Sequence, residues 1–245
     1  MSAIRLGTRA STLATTQSEM VAGLLRSEGL DVNLTTITTH GDTSTASLAA
    51  MGGIGVFASA IRAALLEGEA DIAVHSFKDL PTGRPLGLAI GAVPARADPR
   101  DALVARDGLT LHDLPQEASV GTGSPRRAAQ LLAVRPDLTI VDIRGNVDTR
   151  LGRVKGLGRY AKNGGKEDLD AVVLAASGLA RLGHSGAVTE FLDPSVVLPA
   201  PAQGALAVEC RTADSRHGKL AKALARIDDR RTRLAATAER AVLSH

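Results

Sequence analysis

Short runs of apolar, often β-branched residues alternate along the chain with longer segments in which apolar residues recur every three or four positions. The short runs predict buried strands, and the longer segments predict amphipathic helices. In one such segment Phe57, Ile61, Ala64 and Leu65 fall on a single helical face. This alternation is typical of α/β proteins, and we expect largely parallel sheets.

The predicted elements are bounded by turn-forming residues. Strands are predicted at 3–7, 32–38, 71–75, 88–93, 119–121, 138–143, 169–175 and 204–209. Helices are predicted at 12–26, around 57–65, and at 125–134, 146–154, 178–182, 215–227 and 231–244. The last helix has no partner that the sequence reveals.

Two polar, proline-containing stretches predict crossovers between two domains. The first is 94–101, and the second is marked by Pro194, Pro199 and Pro201. Domain 1 is therefore predicted to hold 1–96 and 200–227, domain 2 to hold 97–199, and 228–245 to begin a further domain. Two doubly wound domains joined in this way place a cleft between them, which is the usual ligand site of the architecture.

Composition narrows the class of protein. The 245 residues are 44% hydrophobic and 22% charged, as expected for a folded globular chain. No apolar signal segment and no run of about 18 apolar residues is present, so we expect a cytoplasmic protein that does not bind a membrane. Cys210 is the single cysteine, which excludes an internal disulfide and a cysteine-based zinc site. Aromatic residues make up only 2%, which argues against nucleic-acid binding.

Arginine outnumbers lysine by 23 to 6 although the formal net charge is only +3. The bias has two explanations: the codon usage of a GC-rich genome, or recognition of carboxylates or phosphates by guanidinium groups.

Two junctions, 7–11 and 121–127, both follow a strand and open a helix with small residues. Such junctions either bind an anion through backbone N–H groups or are ordinary helix caps. Because arginines flank both, we interpret them as a pair of anion sites.

The densest polar cluster is 75–81, directly after an apolar strand, where open α/β sheets bind ligands. Its Lys78 and Asp79 are either catalytic or a solvated ion pair. The junction 144–150 carries an arginine at each end, and further arginines lie at the starts or ends of neighbouring helices. Together they suggest a receptor for several carboxylates, although helix-end arginines are often only surface charges.

Eight segments, in this order, give the chain its resemblance to the porphobilinogen deaminase family. They are 8–11, 40–42, 52–57, 73–79, 98–102, 121–127, 144–150 and 201–205. The match runs from residue 4 to about 243. The resemblance implies two domains similar to type II periplasmic binding proteins, followed by a smaller α+β domain. It also implies hydroxymethylbilane synthase activity, in which four porphobilinogen units are joined with release of ammonia, and a monomeric protein.

By the same resemblance, Asp79 is the catalytic carboxylate that helps ammonia leave and steadies the resulting cation. A fixed negative charge favours a developing cation over a neutral ground state. Other positions match family residues that hold substrate or cofactor carboxylates: Arg9, Ser11, Ser76, Lys78, Thr122, Ser124, Arg126, Arg127, Arg144, Arg150, Arg181 and Gln203.

The chain departs from the family pattern in several places. The family attaches a dipyrromethane cofactor to a cysteine a few residues beyond the counterpart of 238–241, and this chain ends at His245. We therefore expect the third domain and the attachment cysteine to be absent, with Cys210 a small buried hydrophobe. Ile54 stands where many relatives have lysine, and Gly123 replaces a common serine. The segment 156–167 is interpreted as a tolerated insertion in a loop.

Two alternatives remain. A protein of the same fold that binds a small anion without turnover is the stronger, although Asp79 would oppose an anion and suits a cationic intermediate. A Rossmann-type nucleotide enzyme is the weaker, because the glycine pattern beginning at Gly121 lacks its third glycine.

Overall fold

The computed structural model describes residues 3–37, 56–83 and 85–244, and the side chains of 56 and 57 are not included. The family segment 40–42, nearly all of 52–57 with Ile54, and the end of the predicted strand 32–38 lie outside the described residues.

The described residues form ten strands and seven α-helices. The strands are β1 (Ile4–Thr8), β2 (Val32–Thr36), β3 (Ile72–Ser76), β4 (Leu88–Ala92), β5 (Asp101–Ala105), β6 (Ser119–Gly121), β7 (Thr139–Val141), β8 (Ala171–Ala175), β9 (Glu190–Phe191) and β10 (Leu206–Arg211). The helices are α1 (Thr12–Ser27), α2 (Val56–Leu66), α3 (Pro125–Val134), α4 (Val147–Leu151), α5 (Ala176–Arg181), α6 (Gly218–Ile227) and α7 (Arg230–Leu243). Short 3-10 turns follow β3 and β5, at Phe77–Asp79 and Arg106–Gly108.

The chain divides into two compact units, 1–97 with 205–245, and 98–204. The sheet of the first unit has the order β2-β1-β3-β10-β4. Its core is formed by apolar side chains such as Leu6, Ile72 and Val208, against Leu25 of α1 and Leu224 of α6. The predicted return of 204–209 to the first sheet is confirmed, since β10 pairs with β3 and β4.

The second unit repeats the same arrangement in the order β7-β6-β8-β5-β9. In each sheet four of the five strands run in the same direction, so the expectation of largely parallel sheets is confirmed, with one strand in each sheet as the exception. The strand that follows each crossover, β5 or β10, runs against its neighbours. The sequence does not reveal this, because a buried strand is a short apolar run in either direction.

Helix α7 is not without a partner. Thr232 and Ala236 are buried, the Thr232 hydroxyl oxygen accepts a hydrogen bond from the Arg96 backbone at 3.0 Å, and Glu239 pairs with the Arg96 guanidinium at 2.6 Å. The helix is grouped with the first unit. The assignment of 228–245 to a further domain stays a prediction.

The segment 156–167 folds back on the turn after α4. The Glu167 carboxylate accepts a hydrogen bond from the Gly158 backbone at 2.7 Å, and a Cβ at Gly165 would lie 1.6 Å from the Gly152 carbonyl oxygen. Such an approach admits only glycine at 165. Its interpretation as a tolerated insertion stays a prediction.

Candidate catalytic turn and arginine site

The turn that carries Asp79 lies at the carboxyl end of β3. Phe77 is buried and its backbone N–H donates to the Ala205 carbonyl at 3.0 Å, while Asp79 is exposed. Ser76, at the end of the strand, exchanges two hydrogen bonds with the side-chain amide of Gln17, at 3.0 and 3.2 Å. The turn is therefore anchored at the residues just before a carboxylate that is exposed to solvent.

Arg240 of α7 binds the backbone of the same turn. Its guanidinium donates to the carbonyl oxygens of Phe77, Leu80 and Pro81 at 3.0, 2.8 and 2.6 Å. It also lies 4.5 Å from the centre of the Phe77 ring. Burial lowers the pKa of Arg240, and the charge of Arg62 lowers it further. No local pattern predicts this contact, because the partners lie about 160 positions apart in the chain.

Replacing Arg240 with alanine is expected to loosen this turn. Hydrogen bonds from a charged donor contribute roughly 1.5–3 kcal/mol, so local opening should become at least about tenfold more frequent. Hydrogen exchange at the amides of Phe77 and Leu80 measures this opening. Arg231→Ala, on the exposed side of the same helix, is the control. Unchanged exchange in the Arg240 variant would show that the contact does not hold the turn.

The junction between β1 and α1 provides an ordinary helix cap. The Ser11 hydroxyl oxygen accepts a hydrogen bond from the Ala14 backbone at 3.3 Å. Arg9 and Lys78 are half-buried, in loop and turn positions of the first unit. Anion binding by these residues stays a prediction, and for Ser11 the capping explanation accounts for the geometry.

In the second unit, three of the predicted site residues bind the same carboxylate, which is not itself a predicted site residue. Asp101, fully buried at the start of β5, accepts hydrogen bonds from Arg126, Arg127 and Gln203, each at 2.7 Å. Burial raises the pKa of Asp101, but the charge and hydrogen bonds of Arg127, followed by those of Arg126, outweigh it and hold the pKa below its ordinary value. Asp101 therefore remains ionised inside the unit.

Helix α3 positions these arginines. Ser124 is its N-cap, with its hydroxyl oxygen 3.5 Å from the Arg127 backbone nitrogen, and the buried Thr122 hydroxyl oxygen accepts from the Ser124 backbone at 3.2 Å. A Cβ at Gly123 would lie 2.7 Å from the Ile143 carbonyl oxygen. The glycine at this position thus permits a close approach that a serine would disturb.

Arg150 belongs to a group of like charges. Burial lowers its pKa, as do the charges of Arg127 and Arg144, whereas Asp142 acts in the opposite direction. The Arg150 guanidinium donates to the Gly145 carbonyl at 2.9 Å. Arg144 is exposed. The second unit thus concentrates positive charge around Arg150.

Arg181, at the end of α5, forms a hydrogen bond to a carbonyl oxygen and is little affected by nearby carboxylates. Its Nη2 donates to the Gly204 carbonyl at 2.7 Å, and its buried Nε has no hydrogen-bond partner among the described residues. Burial alone lowers the pKa of Arg181 to about 10. A half-buried guanidinium with a buried, unmatched Nε donor favours an anionic ligand.

Cys210 is buried within β10, as predicted, and packs in the core of the first unit. Burial raises the pKa of its thiol to about 11. We therefore expect iodoacetamide at pH 8 to alkylate Cys210 at least about a hundredfold more slowly in the folded chain than in urea, because the thiolate is the nucleophile. Intact mass against time measures both rates. Comparable rates would place the thiol at the surface.

The described residues bear on metal binding and on membrane insertion. They contain no group of three histidine, cysteine, aspartate or glutamate side chains arranged to hold a metal ion. No helix in the described ranges is both long enough and apolar enough to cross a membrane.

Relatives in other organisms are similar over nearly the whole chain. The chain is 56% identical to the porphobilinogen deaminase of Micrococcus luteus and 58% identical to that of Leifsonia xyli, in each case over 99% of its own length. It spans 70% and 71% of those proteins.

Among solved structures, a nutrient-binding protein from Burkholderia cenocepacia bound to methionine is similar with a TM-score of 0.51 and 16% identity, over 91% of both chains. Protein PG110 from Staphylococcus aureus gives a TM-score of 0.51 and 12% identity, over 96% of this chain and 91% of the other. The fold expected from the family resemblance, with two α/β domains similar to type II periplasmic binding proteins, is confirmed.

The family model described as "Porphobilinogen deaminase, dipyromethane cofactor binding domain" matches residues 4–219. This range includes β1 to β10 and every predicted site residue from Arg9 to Gln203. Together with the identities to the two curated deaminases, the match shows that the chain belongs to the porphobilinogen deaminase family.

Proposed function

We propose that the chain is a hydroxymethylbilane synthase, which joins four porphobilinogen units with release of ammonia. The observation that carries this proposal is the local concentration of guanidinium groups around Arg150 and Arg181 in the second unit. The charges of Arg127 and Arg144 act on Arg150, with Asp142 opposing them, and Arg181 has a buried donor without a partner among the described residues. Porphobilinogen brings two carboxylates per ring, and guanidinium groups bind carboxylates through paired hydrogen bonds.

Asp79 supplies the opposite charge. In the proposed reaction the aminomethyl group of porphobilinogen reacts in its protonated form: the bond between its carbon and nitrogen breaks, and ammonia leaves with the electron pair. The carbon left behind shares its positive charge with the pyrrole ring, and the exposed Asp79 carboxylate stabilises that cation. A pyrrole carbon of the growing chain then forms the new carbon–carbon bond and loses its proton.

The residues present fit a dipyrromethane cofactor in one respect. Arg150 and Arg181 suit its carboxylates, and the unmatched Arg181 Nε is the structural observation that supports this. When bound, the cofactor supplies the pyrrole carbon to which the first unit is joined. Cys210 does not fit as its attachment point, because the thiol is buried and its pKa is raised. The predicted cytoplasmic location and monomeric state stay predictions.

The experiment that tests the function is incubation of the purified chain with porphobilinogen. Release of ammonia together with a linear tetrapyrrole of the expected mass supports the proposal. Binding of porphobilinogen without ammonia release favours the non-catalytic binding protein. Absence of binding by titration calorimetry contradicts both.

Charge reversal at Arg144 is expected to weaken porphobilinogen binding by at least about tenfold, because it replaces attraction of a carboxylate by repulsion. Titration calorimetry at low and moderate salt measures the affinity, and the difference should shrink as salt is added. Arg216→Glu, at an exposed position before α6, is the control. Equal affinities of the two variants would remove Arg144 from the binding site.

A further inference from the structure

We infer that Asp101 is a positioning residue for ligand binding: its buried carboxylate sets the orientation of the Arg126 and Arg127 guanidinium groups and of the Gln203 amide. This inference rests on the proposed function and on the role in carboxylate binding that the family resemblance predicts for those three residues. It gives a role to a residue that does not itself face the ligand.

Both oxygens of Asp101 are engaged. Oδ2 accepts a hydrogen bond from Arg126 Nη2, and Oδ1 accepts from Arg127 Nη2 and from Gln203 Nε2, all at 2.7 Å. Distances this short are typical of charge-assisted hydrogen bonds. The side chain of Asp101 is fully buried, so water does not compete for these bonds.

The guanidinium groups of Arg126 and Arg127, here called the forks, have a fixed orientation because they are planar. Because a guanidinium group is rigid and flat, fixing one edge also fixes the direction of its remaining N–H groups. Arg127 is tied a second time, by Nη1 to the Val173 carbonyl at 3.1 Å, and its buried Nε has no partner among the residues described. Arg126 also donates to the Leu198 carbonyl. The Asp101 carboxylate thus leaves each fork with a single orientation.

Charge supports the same assignment. One carboxylate faces two guanidinium groups, so the cluster keeps one unit of positive charge. A ligand carboxylate would neutralise it, whereas a second internal carboxylate would compete with the ligand. Asp101 therefore reduces repulsion between the arginines without removing the charge that attracts a ligand.

The position of Asp101 in the sheet agrees with a role in binding. Asp101 pairs in register with Ala175, the last residue of β8, and so lies at the carboxyl end of the parallel strands. Open α/β sheets bind ligands at this end.

Asp170 is a matched carboxylate at the amino end of the same strand. It accepts hydrogen bonds from Arg106 Nε, Lys155 Nζ and the Ser119 backbone and hydroxyl, all at 2.9 Å. Burial raises its pKa, but these hydrogen bonds outweigh it and hold the pKa well below its usual range. Asp170 contacts none of the predicted ligand-binding residues. Its substitution therefore shows the effect of losing a structural carboxylate without the loss of a positioning residue.

The test compares Asp101→Asn, Asp101→Glu and Asp170→Asn in the full chain, by thermal unfolding and by titration with porphobilinogen. Both asparagine variants should melt at a lower temperature. Only the Asp101 variants should lose affinity, by at least about tenfold, while Asp170→Asn stays within about twofold of the unsubstituted chain. If Asp101→Asn does not fold, Asp101→Glu decides, since it keeps the charge and displaces the forks by one methylene.

Unchanged affinity in a folded Asp101 variant, or an equal loss in Asp170→Asn, overturns the inference. Failure of the unsubstituted chain to bind porphobilinogen overturns the proposed function instead. In that event the Nε–H resonances of Arg126 and Arg127 still test the positioning: they should be sharp in the unsubstituted chain and broadened in Asp101→Asn. Sharp resonances in both would show that Asp101 does not fix the forks.

Discussion

Asp79→Asn is expected to slow ammonia release from porphobilinogen by about 100- to 1,000-fold, the usual cost of removing a single group that stabilises transition-state charge. Asparagine keeps the shape of the side chain but carries no charge to stabilise the cation. Because porphobilinogen is bound mainly through its own carboxylates, its affinity should change little. Initial rates of ammonia release and a calorimetric affinity together separate the two effects.

The control for this substitution is Asp31→Asn. Asp31 is also exposed and lies in the first unit, directly before β2. Neither change should alter thermal unfolding noticeably, since substitutions of exposed residues usually have small effects. Near-normal ammonia release by Asp79→Asn would remove this residue from the chemistry, whereas slow release by both variants would point to a general effect of lost negative charge.

Arg62→Met is expected to destabilise the first unit by about 3–5 kcal/mol, because it leaves a buried carboxylate without its guanidinium partner. Arg62 of α2 and Glu209 of β10 share a pair of hydrogen bonds at 2.9 and 3.0 Å, and the Glu209 side chain is only 1% exposed. His75 Nε2 lies 3.4 Å from the same carboxylate. Urea unfolding followed by circular dichroism measures the loss.

The double variant Arg62→Met/Glu209→Leu should regain much of this loss, since a buried ion pair replaced by apolar groups is often nearly neutral. Arg5→Met is the control, because Arg5 pairs with Asp71 at 2.8 Å with nearly half of its side chain exposed. If the double variant is as unstable as the single one, the loss comes from packing rather than from the unpaired charge.

The same pair makes stability depend on pH. Burial raises the pKa of Glu209, but its interactions with His75 and with the Arg62 guanidinium outweigh burial and lower the pKa below its ordinary value. The pair therefore stabilises the fold fully above the ordinary glutamate pKa of about 4.3, and this contribution is lost as the pH falls through the lower value of the folded state. The double variant should lack this part of the acid sensitivity.

Local signals in the sequence predicted some elements to the residue. Helix α3 begins and ends as expected, at Pro125 and Val134, because a serine cap and a proline in the first turn mark its start. Strand β5 was not predicted. Its apolar residues follow the crossover directly, and its pairing is made with β8, about 70 positions later. No local pattern encodes such a partner.

The candidate site likewise contains residues that local motifs predict and residues that depend on distant contacts. The family motifs pointed to Asp79 and to the arginines of the second unit, and charge crowding around Arg150 agrees with a ligand-binding role. Asp101 and Arg240 were missed because their importance comes from contacts with distant segments. Ser11 has a local explanation as a helix cap, and sequence alone does not separate capping from anion binding.

The interior place of β10 imposes an order on folding during synthesis. β10 is hydrogen-bonded between β3 and β4, although residues 93–205 separate it from β4 in the chain. The second unit is continuous from 98 to 204 and is complete before β10 leaves the ribosome. Until then β3 and β4 present unpaired edges, which in a nascent chain are templates for aggregation and targets for chaperones. A ribosome that pauses before residue 206 would therefore lengthen the time during which these unpaired edges are open to aggregation.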